Sequence, residues 1–201
     1  MSSQTRLTRA FKNAKRISFD NKSKFILFSD CHRGDGSFAD DFASNRNIYF
    51  HAMNHYFSEG FSYFELGDGD ELWENLFFKE IFEAHKNVYL VLKKFHDSGR
   101  LHMIYGNHDM VYRDKNLVKK KLNTFFDPRT GKDEPLFTGI EYHEAIVLEN
   151  LKTGQQLFLV HGHQADFMNY IGWKINRFLV QILWKPLQVW GINDPTSPAK
   201  N

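Results

Sequence analysis

The chain has a single cysteine, Cys31, and no long uncharged apolar run. One cysteine excludes an intramolecular disulfide and favours a reducing compartment. The N-terminus lacks the apolar stretch of a signal peptide, and no run of about 18 apolar residues predicts a transmembrane helix. The nearest candidate, Ile171 to Trp190, is interrupted by charged residues and by Pro186. We therefore expect a soluble, cytoplasmic protein.

The chain also has little excess charge of either sign, since its formal net charge is +2. This balance is too small to indicate a nucleic-acid partner. Hydrophobic residues, by contrast, make up 42% of the chain and aromatic residues 16%, with 20 Phe. This composition excludes intrinsic disorder, and 201 residues suffice for one domain of ordinary size.

Positive charge is concentrated at the start of the chain. Residues 1–24 contain seven Lys/Arg and one acidic residue, Asp20. Residues 1–23 are therefore predicted to form a solvated, partly disordered basic arm. The alternative is an arm that touches an anionic surface, such as lipid headgroups or the substrate.

Short apolar runs of strand length alternate with stretches of helical spacing. The strand-like runs are Lys24–Ser29, Ser62–Leu66 and Leu101–Tyr105, and the helical stretches cover residues 41–58 and 77–97. The order β-α-β-α-β predicts an α/β layered fold whose first part is mainly parallel. The domain built from these elements is predicted to cover residues 24–163.

The middle of the chain is less regular. Lys119 to Lys121 indicates a solvated helix face, and Asp127 to Gly131 indicates a turn. After them, His143–Leu148 and Gln156–Val160 are typical of two strands, and the turn Asn150–Gly154 between them predicts a β-hairpin.

Each strand-like run except the first strand of this hairpin is followed by polar residues. These clusters are Asp30-Cys-His32, Gly67-Asp68, Gly106-Asn-His-Asp109 and His161-Gly-His163. Active-site groups of α/β sheets gather at the carboxyl ends of the strands. In an extended segment residues i and i+2 point the same way, so Asp30 and His32 could reach one ion.

The candidate metal ligands are Asp30, His32, Asp68, Asn107 and His161. Oxygen and nitrogen donors without thiolate suit Mn, Fe, Zn or similar divalent ions. Two such ions about 3.5–4 Å apart can clamp a phosphate and activate the attacking water, and a carboxylate such as Asp68 could bridge them. The sequence therefore predicts a centre of two divalent ions, with Mn²⁺ as first choice and Fe, Zn or Mg as the others.

Three neighbouring residues are predicted to take part in catalysis. His108 could give a proton to the leaving oxygen, and Asp109 could hydrogen-bond the other ring nitrogen of His108. Arg33 could contact a phosphate oxygen. Cys31 is expected to point away from the ligands into apolar surroundings. His163 has no assigned role, being either a neighbour of the ligands, a surface residue, or a direct metal or substrate contact.

The polar blocks resemble those of the calcineurin-like metallophosphoesterase superfamily. The matching blocks are Asp30-Cys-His32-Arg33, Gly67-Asp68, Gly106-Asn107-His108-Asp109 and Val160-His161-Gly162. The resemblance implies a four-layer αββα sandwich and a dinuclear centre. It also implies that Asp30 and His32 bind the first ion, that Asn107 and His161 bind the second, and that Asp68 bridges them. The block Gly67-Asp68-Gly-Asp-Glu71-Leu-Trp73 is most similar to the UDP-2,3-diacylglucosamine hydrolase branch.

The chain departs from this pattern at two places. The branch usually has Asp where this chain has His163, and no Gly-His-x-His block, which would supply one more His to each metal, follows it. We therefore expect a truncated product that lacks its last strands and two ligands. A natural variant with a degraded site, or ligands donated by another chain, are the alternatives.

Residues 164–201 form an aromatic tail that is predicted to contain an amphipathic helix over Asp166 to Trp190, kinked or ended by Pro186. This helix could pack on the domain or pair with a partner chain. It could also cap the metal site over an apolar part of the substrate, or make a peripheral membrane contact through residues 167–190.

The leading functional hypothesis is metal-dependent hydrolysis of a phosphodiester or pyrophosphate bond. The expected substrate is a phosphorylated small molecule or a lipid-linked nucleotide. The alternatives are a phosphomonoesterase acting on proteins or nucleotides, and a non-catalytic scaffold of the same fold.

Overall fold

The computed structural model describes residues 2–165, together with Phe178 and Val180. Apart from Phe178 and Val180, the predicted amphipathic helix lies outside the described residues, and so do its predicted dimer and membrane contacts. In the part that is described, no helix is both long enough and apolar enough to cross a bilayer.

The described chain is a mixed α/β structure, as the sequence predicts. The strands are β1 (Lys15–Phe19), β2 (Phe25–Phe28), β3 (Ser62–Leu66), β4 (Leu101–Ile104), β5 (Thr124–Asp127), β6 (Lys132–Pro135), β7 (Tyr142–His143), β8 (Ala145–Asn150) and β9 (Gln156–Val160). The α-helices are α1 (Ser3–Asn13), α2 (Arg46–Ser58), α3 (Phe78–Ala84), α4 (Lys86–Asp97) and α5 (Lys115–Leu122).

The prediction of a solvated, partly disordered arm at the N-terminus is wrong, because this segment folds into α1 and β1. Arg6 and Ala10 lie on the buried face of α1. The Arg6 Nε donates a hydrogen bond to the carbonyl of Gln164 at 2.5 Å, and the Phe11 ring packs edge-on against Phe158 at 5.3 Å. The basic residues therefore belong to an amphipathic helix that docks on the protein.

The predicted parallel beginning is confirmed in a four-stranded sheet of order β2-β3-β4-β7, in which all neighbours are parallel. A second sheet has the order β1-β8-β9, with β1 parallel and β9 antiparallel to β8. The predicted hairpin is the β8–β9 pair. The predicted turn at Asp127 to Gly131 connects a further antiparallel pair, β5 and β6.

Two predicted elements are each split in the structure. The single strand expected over His143–Leu148 belongs to both sheets, since the chain leaves β7 and enters β8 across Glu144. The single helix expected over residues 77–97 is α3 and α4, interrupted at His85. The His85 ring is fully buried and lies 2.7 Å from a carboxylate oxygen of Asp40.

The core lies on both faces of the four-stranded sheet. Tyr63 and Met103 contribute to a large cluster with the buried faces of α2 and α4. Phe64 and Ile104, one position further along their strands, pack in a smaller cluster with Ile146 of the second sheet. Successive residues of a strand therefore point into different core clusters, as in a sheet buried on both sides. The polar groups lie instead at the carboxyl ends of its strands.

Candidate metal centre

The loops that follow β2 and β3 hold the first candidate ligands beside each other. The backbone N–H of Asp30 donates to the Gly67 carbonyl at 3.1 Å, and that of His32 donates to the Asp68 carbonyl at 2.9 Å. The parallel pairing of the strands is therefore continued by the loops. This pairing fixes Asp30 and His32 against Asp68.

The backbone at these ligands is not extended, which corrects one step of the sequence prediction. Among the described residues, the non-glycine residues with a positive φ are Asp30 (54°), His32 (48°) and Asp68 (53°). Such conformations are uncommon for non-glycine residues, cost on the order of 1–3 kcal/mol each and cluster at functional sites. Asp30 and His32 therefore converge through two left-handed residues and not through the alternation of a strand.

The first group of side chains contains Asp30, His32 and Asp68. The His32 Nε2 lies 3.9 Å from a carboxylate oxygen of Asp30 and 4.0 Å from one of Asp68. Asp68 is buried, whereas 57% of the Asp30 side chain is exposed. The group is therefore open to solvent on the Asp30 side.

The second group contains Asp68, Asn107 and His161. The His161 Nε2 lies 3.1 Å from the Asp68 Oδ2 and 3.2 Å from the Asn107 Oδ1. Asp68 thus lies between the two groups, with the same Oδ2 nearest to His32 and to His161. All five predicted ligands are brought together.

Both candidate histidine ligands are oriented by a bond to the opposite ring nitrogen. The His32 Nδ1 lies 2.7 Å from the Glu71 Oε2, and the His161 Nδ1 lies 3.0 Å from the Leu66 carbonyl oxygen. Each acceptor requires Nδ1 to carry the proton, which leaves Nε2 as the ligating atom in the neutral ring. Metal-binding histidines are held in this way.

The spacing within each group can be compared with that of bound ligands. Donor atoms about 2.1 Å from one ion lie roughly 3.0–3.4 Å apart in octahedral or tetrahedral geometry. In the second group the His161 Nε2 has this spacing to both the Asp68 Oδ2 and the Asn107 Oδ1. The first group is wider, since the His32 Nε2 lies 3.9 Å from Asp30 and 4.0 Å from Asp68. Both His32 and Asp30 would have to move by roughly half an ångström or more to reach the spacing of bound ligands. The second group is therefore the better preformed candidate site for a divalent cation.

The electrostatics of the cluster favour the uptake of positive charge. The His32 imidazole and the Ser29 hydroxyl bring the pKa of Asp30 to about 2. Burial opposes the charging of His32, yet Asp30, Glu71 and Asp68 raise its pKa to about 11. Burial likewise opposes the charging of His161, whose pKa is raised by Asp68. Carboxylates therefore dominate the electrostatic field of the cluster. A bound metal ion would displace the protons that raise the charge of His32 and His161.

Glu71, to which the sequence pattern assigns no role, connects His32 to the predicted catalytic residue His108. The carboxylate is buried and lies 2.7 Å from the Nδ1 of His32 and 2.7 Å from that of His108. Burial opposes its ionisation, but the two imidazoles lower the pKa of Glu71. The signal that could have found it was its place in the block from Gly67 to Trp73.

His108 is held on three sides. Its ring stacks on Trp73 with centroids 4.0 Å apart, and it meets the His32 ring edge-on at 4.6 Å. Its backbone N–H donates to the Asp68 Oδ1 at 2.7 Å. The Trp73 indole in turn donates to the Asn107 carbonyl at 2.7 Å. His108 is therefore fixed next to two candidate ligands.

The predicted role of Asp109 is wrong, because Glu71 occupies the place beside the His108 ring. Asp109 is buried and accepts hydrogen bonds from the backbone N–H of Gly69 at 3.0 Å and of Gly106 at 2.6 Å. Burial and the charge of Asp68 raise the pKa of Asp109 well above its usual value. Asp109 joins the loops after β3 and β4.

The predicted phosphate contact of Arg33 is also contradicted. Only 1% of Arg33 is exposed, and its guanidinium lies 2.7 Å from Glu65 and 2.9 Å from Asp70. Tyr89 and Tyr112 donate to the same Asp70 carboxylate. Arg33 therefore neutralises buried acids beneath the loops instead of facing the ligand cluster.

Two smaller expectations can also be compared with the structure. Cys31 packs partly buried against the large core cluster, with its Sγ 3.4 Å from Glu65, in agreement with the prediction that it points away from the ligands. His163 is buried, and its ring centroid lies 5.5 Å from that of His161. Burial and the neighbouring His161 bring the pKa of His163 to about 4.

Comparison of the chain with protein-family models, with curated proteins and with solved structures found no match.

Proposed function

We propose that this chain is a metal-dependent phosphoesterase. The observation that carries the proposal is the convergence of the His32 and His161 Nε2 atoms on one buried carboxylate, Asp68, with each Nδ1 engaged by an acceptor. The sequence resemblance to calcineurin-like metallophosphoesterases supports the same conclusion. The reaction proposed is hydrolysis of a phosphodiester or pyrophosphate bond.

We also propose the four-layer αββα arrangement of that superfamily for the described chain. Phe64 of one sheet packs with Ile146 of the other. Helices α2 and α4 contribute buried residues on the far side of the four-stranded sheet. On the far side of the other sheet, α1 contacts β8, and Phe11 contacts Phe158 of β9.

The donor set suits two divalent ions, with Mn²⁺ as first choice, because it offers carboxylate, amide and imidazole atoms without thiolate. Asp30, His32 and Asp68 would hold one ion, and Asp68, Asn107 and His161 the other. When bound, such ions would supply charge stabilisation for the phosphate and an activated water.

Residues of the chain transfer the proton to the leaving oxygen and hold the His108 ring in place. Hydrolysis adds the oxygen of a water to phosphorus and breaks the bond to the leaving oxygen, which must gain a proton. For His108 to act as the acid, its ring must carry a proton on both nitrogens: Nδ1–H donates to Glu71, and the proton on Nε2 passes to the leaving oxygen. The Trp73 ring keeps the imidazole in one plane.

The test is hydrolysis of bis-p-nitrophenyl phosphate by the full chain with Mn²⁺ and with a chelator. We expect activity that needs Mn²⁺. Hydrolysis of diphenyl phosphate, whose phenolate leaving group is more basic, should fall by about 10²-fold or more in His108→Asn, since general acid catalysis contributes 10²–10⁴-fold. Hydrolysis of the p-nitrophenyl diester should fall less, because p-nitrophenolate leaves without a proton. His161→Asn should lose both Mn²⁺ binding and activity. His51→Asn, an exposed change on α2, should leave both unchanged.

The same experiment decides between the alternatives. Faster turnover of p-nitrophenyl phosphate than of the diester would favour a phosphomonoesterase. Mn²⁺ binding at His161 without hydrolysis of either ester or of UDP-glucose would favour a scaffold. Activity that survives both a chelator and His161→Asn would contradict the metal centre.

A further inference from the structure

A groove with a volume of about 540 Å³ opens beside the candidate metal centre. Asp30 and His32 form part of its lining. The groove is therefore continuous with the place where a phosphate would lie. Its volume falls within the range of small-molecule sites, about 300–1,000 Å³.

The wall of the groove away from the candidate metal ligands is mostly apolar. Its apolar part is formed by Phe28, Phe42, Ile48, Tyr49 and Ala52, and its polar part by Ser29, Asp41 and Asn45. The Tyr49 ring packs edge-on against Phe28 at 5.1 Å and against Phe42 at 5.2 Å. This wall is therefore fixed by ring packing, whereas Ile48, at the first turn of α2, is 74% exposed.

Among the residues that the structure describes, the charged side chain that lines the groove apart from the candidate ligands is Asp41. Neither lysine nor arginine is among these described lining residues.

We propose that this groove receives an apolar or aromatic ester group of the substrate. This inference rests on the phosphoesterase function proposed above and narrows its substrate class. That class is a phosphoester of an apolar or aromatic alcohol.

The experiment compares two diesters with the same leaving group, phenethyl p-nitrophenyl phosphate and methyl p-nitrophenyl phosphate, using the full chain and Mn²⁺. The second ester group is an alkyl group in both, so the intrinsic reactivity at phosphorus is similar. We expect kcat/KM to be about tenfold higher for the phenethyl diester, since apolar pockets discriminate by about 10–200-fold for small apolar groups. Ile48→Lys should reduce this ratio of kcat/KM values by about threefold or more, because the variant loses an apolar contact with the ester group. The same variant should raise the activity towards UDP-glucose.

Leu151→Lys is the matched control, because Leu151 is 70% exposed in the turn between β8 and β9. It should leave the ratio unchanged. If circular dichroism shows that Ile48→Lys does not fold, Ile48→Ala should still lower the ratio.

The outcomes separate the two proposals. Equal kcat/KM for both diesters in the unchanged chain, or a preference for UDP-glucose, would overturn the groove assignment and leave the phosphoesterase standing. Failure to hydrolyse any of the three compounds would overturn the phosphoesterase and the groove assignment together.

Discussion

At the scale of single residues, Glu71 connects two histidines of the candidate site. This one buried carboxylate orients the imidazoles of both His32 and His108. A candidate metal ligand and the proposed proton donor therefore depend on the same side chain.

We expect Glu71→Gln to lower Mn²⁺ affinity by about 10–100-fold, the usual effect of losing the partner of a metal-binding histidine. Both rings lie 2.7 Å from the same Oε2 atom, and the other oxygen accepts from the backbone N–H groups of Trp73 and Glu74. An amide nitrogen at either position therefore faces donors that it cannot accept from. Titration calorimetry with Mn²⁺ measures the change. Glu83→Gln, an exposed change on α3, is the control, and equal affinity in both variants would contradict this role.

A second residue-scale prediction concerns His102, which stacks on Phe64 at 4.5 Å away from the candidate site. Burial, together with the charges of His143 and Lys15, lowers the pKa of His102 from 6.5 to about 4. The unfolded chain therefore binds more protons between these pH values. The contribution of neutral His102 to the free energy of unfolding is fully present above pH 6.5 and is lost as the pH falls towards 4.

Replacing His102 with Gln should flatten the pH dependence of the free energy of unfolding. The expected difference is on the order of 1–2 kcal/mol, after an allowance for partial exposure. Urea unfolding at several pH values over this interval measures it. His51→Gln should retain the slope of the unchanged chain, and an unaltered slope in the His102 variant would refute the assignment.

At the scale of elements, the turn after β3 has to bring backbone close to a ligand. Gly67 has φ of 101°, and a Cβ at this position would lie 2.7 Å from the Cγ of His161. Both the conformation and the contact therefore favour glycine.

Gly67→Ala should destabilise the fold by about 1–3 kcal/mol and weaken Mn²⁺ binding, because the methyl group displaces the His161 ring. Thermal unfolding and calorimetry measure the two effects. Gly139→Ala is a matched control, since its φ is also positive, at 78°, and a Cβ there would meet nothing within 4 Å. Gly139→Ala should lower stability and leave Mn²⁺ affinity unchanged. Equal Mn²⁺ affinity in both variants would contradict the close contact between position 67 and His161.

The sequence predicts those elements whose signal is local. The strands β2, β3 and β4 agree with the apolar runs to within one or two residues, and the polar residues after them do meet. The break at His85 is not predictable in this way, since it depends on Asp40, 45 positions earlier. Burial by a distant partner overrides local helical spacing here.

Partners that are distant in sequence also explain why the predicted roles of Arg33 and Asp109 are wrong. Its position beside the candidate ligand His32 predicts a phosphate contact for Arg33, but the partners of Arg33 are Glu65 of β3 and Asp70 of the loop after it. Asp109 was paired with His108 because the two are adjacent in sequence. The structure selects Glu71 instead, from 37 positions away.

At the scale of the whole molecule, α1 and β1 make the N-terminal segment part of the fold. A residue such as Ala10, 1% exposed, lies where α1 docks. Ala10→Glu should lower the free energy of unfolding by about 2–5 kcal/mol, because it buries an unpaired carboxylate.

Thr8→Glu is the control for that prediction, since it adds the same charge at an exposed position of the same helix. Thermal unfolding should show a large decrease of Tm for Ala10→Glu and a small change for Thr8→Glu. Equal Tm values would show that α1 does not dock as described.

The pairing of β1 with β8 also sets an order of events during synthesis. Lys15 and its partner Ile146 are about 130 residues apart in the chain. At 5–20 residues per second, a ribosome needs roughly 7–26 s to make the second strand after the first. During this interval the edge of β1 that will pair with β8 has no partner, and the three-stranded sheet closes only when the last part of the described chain has been translated.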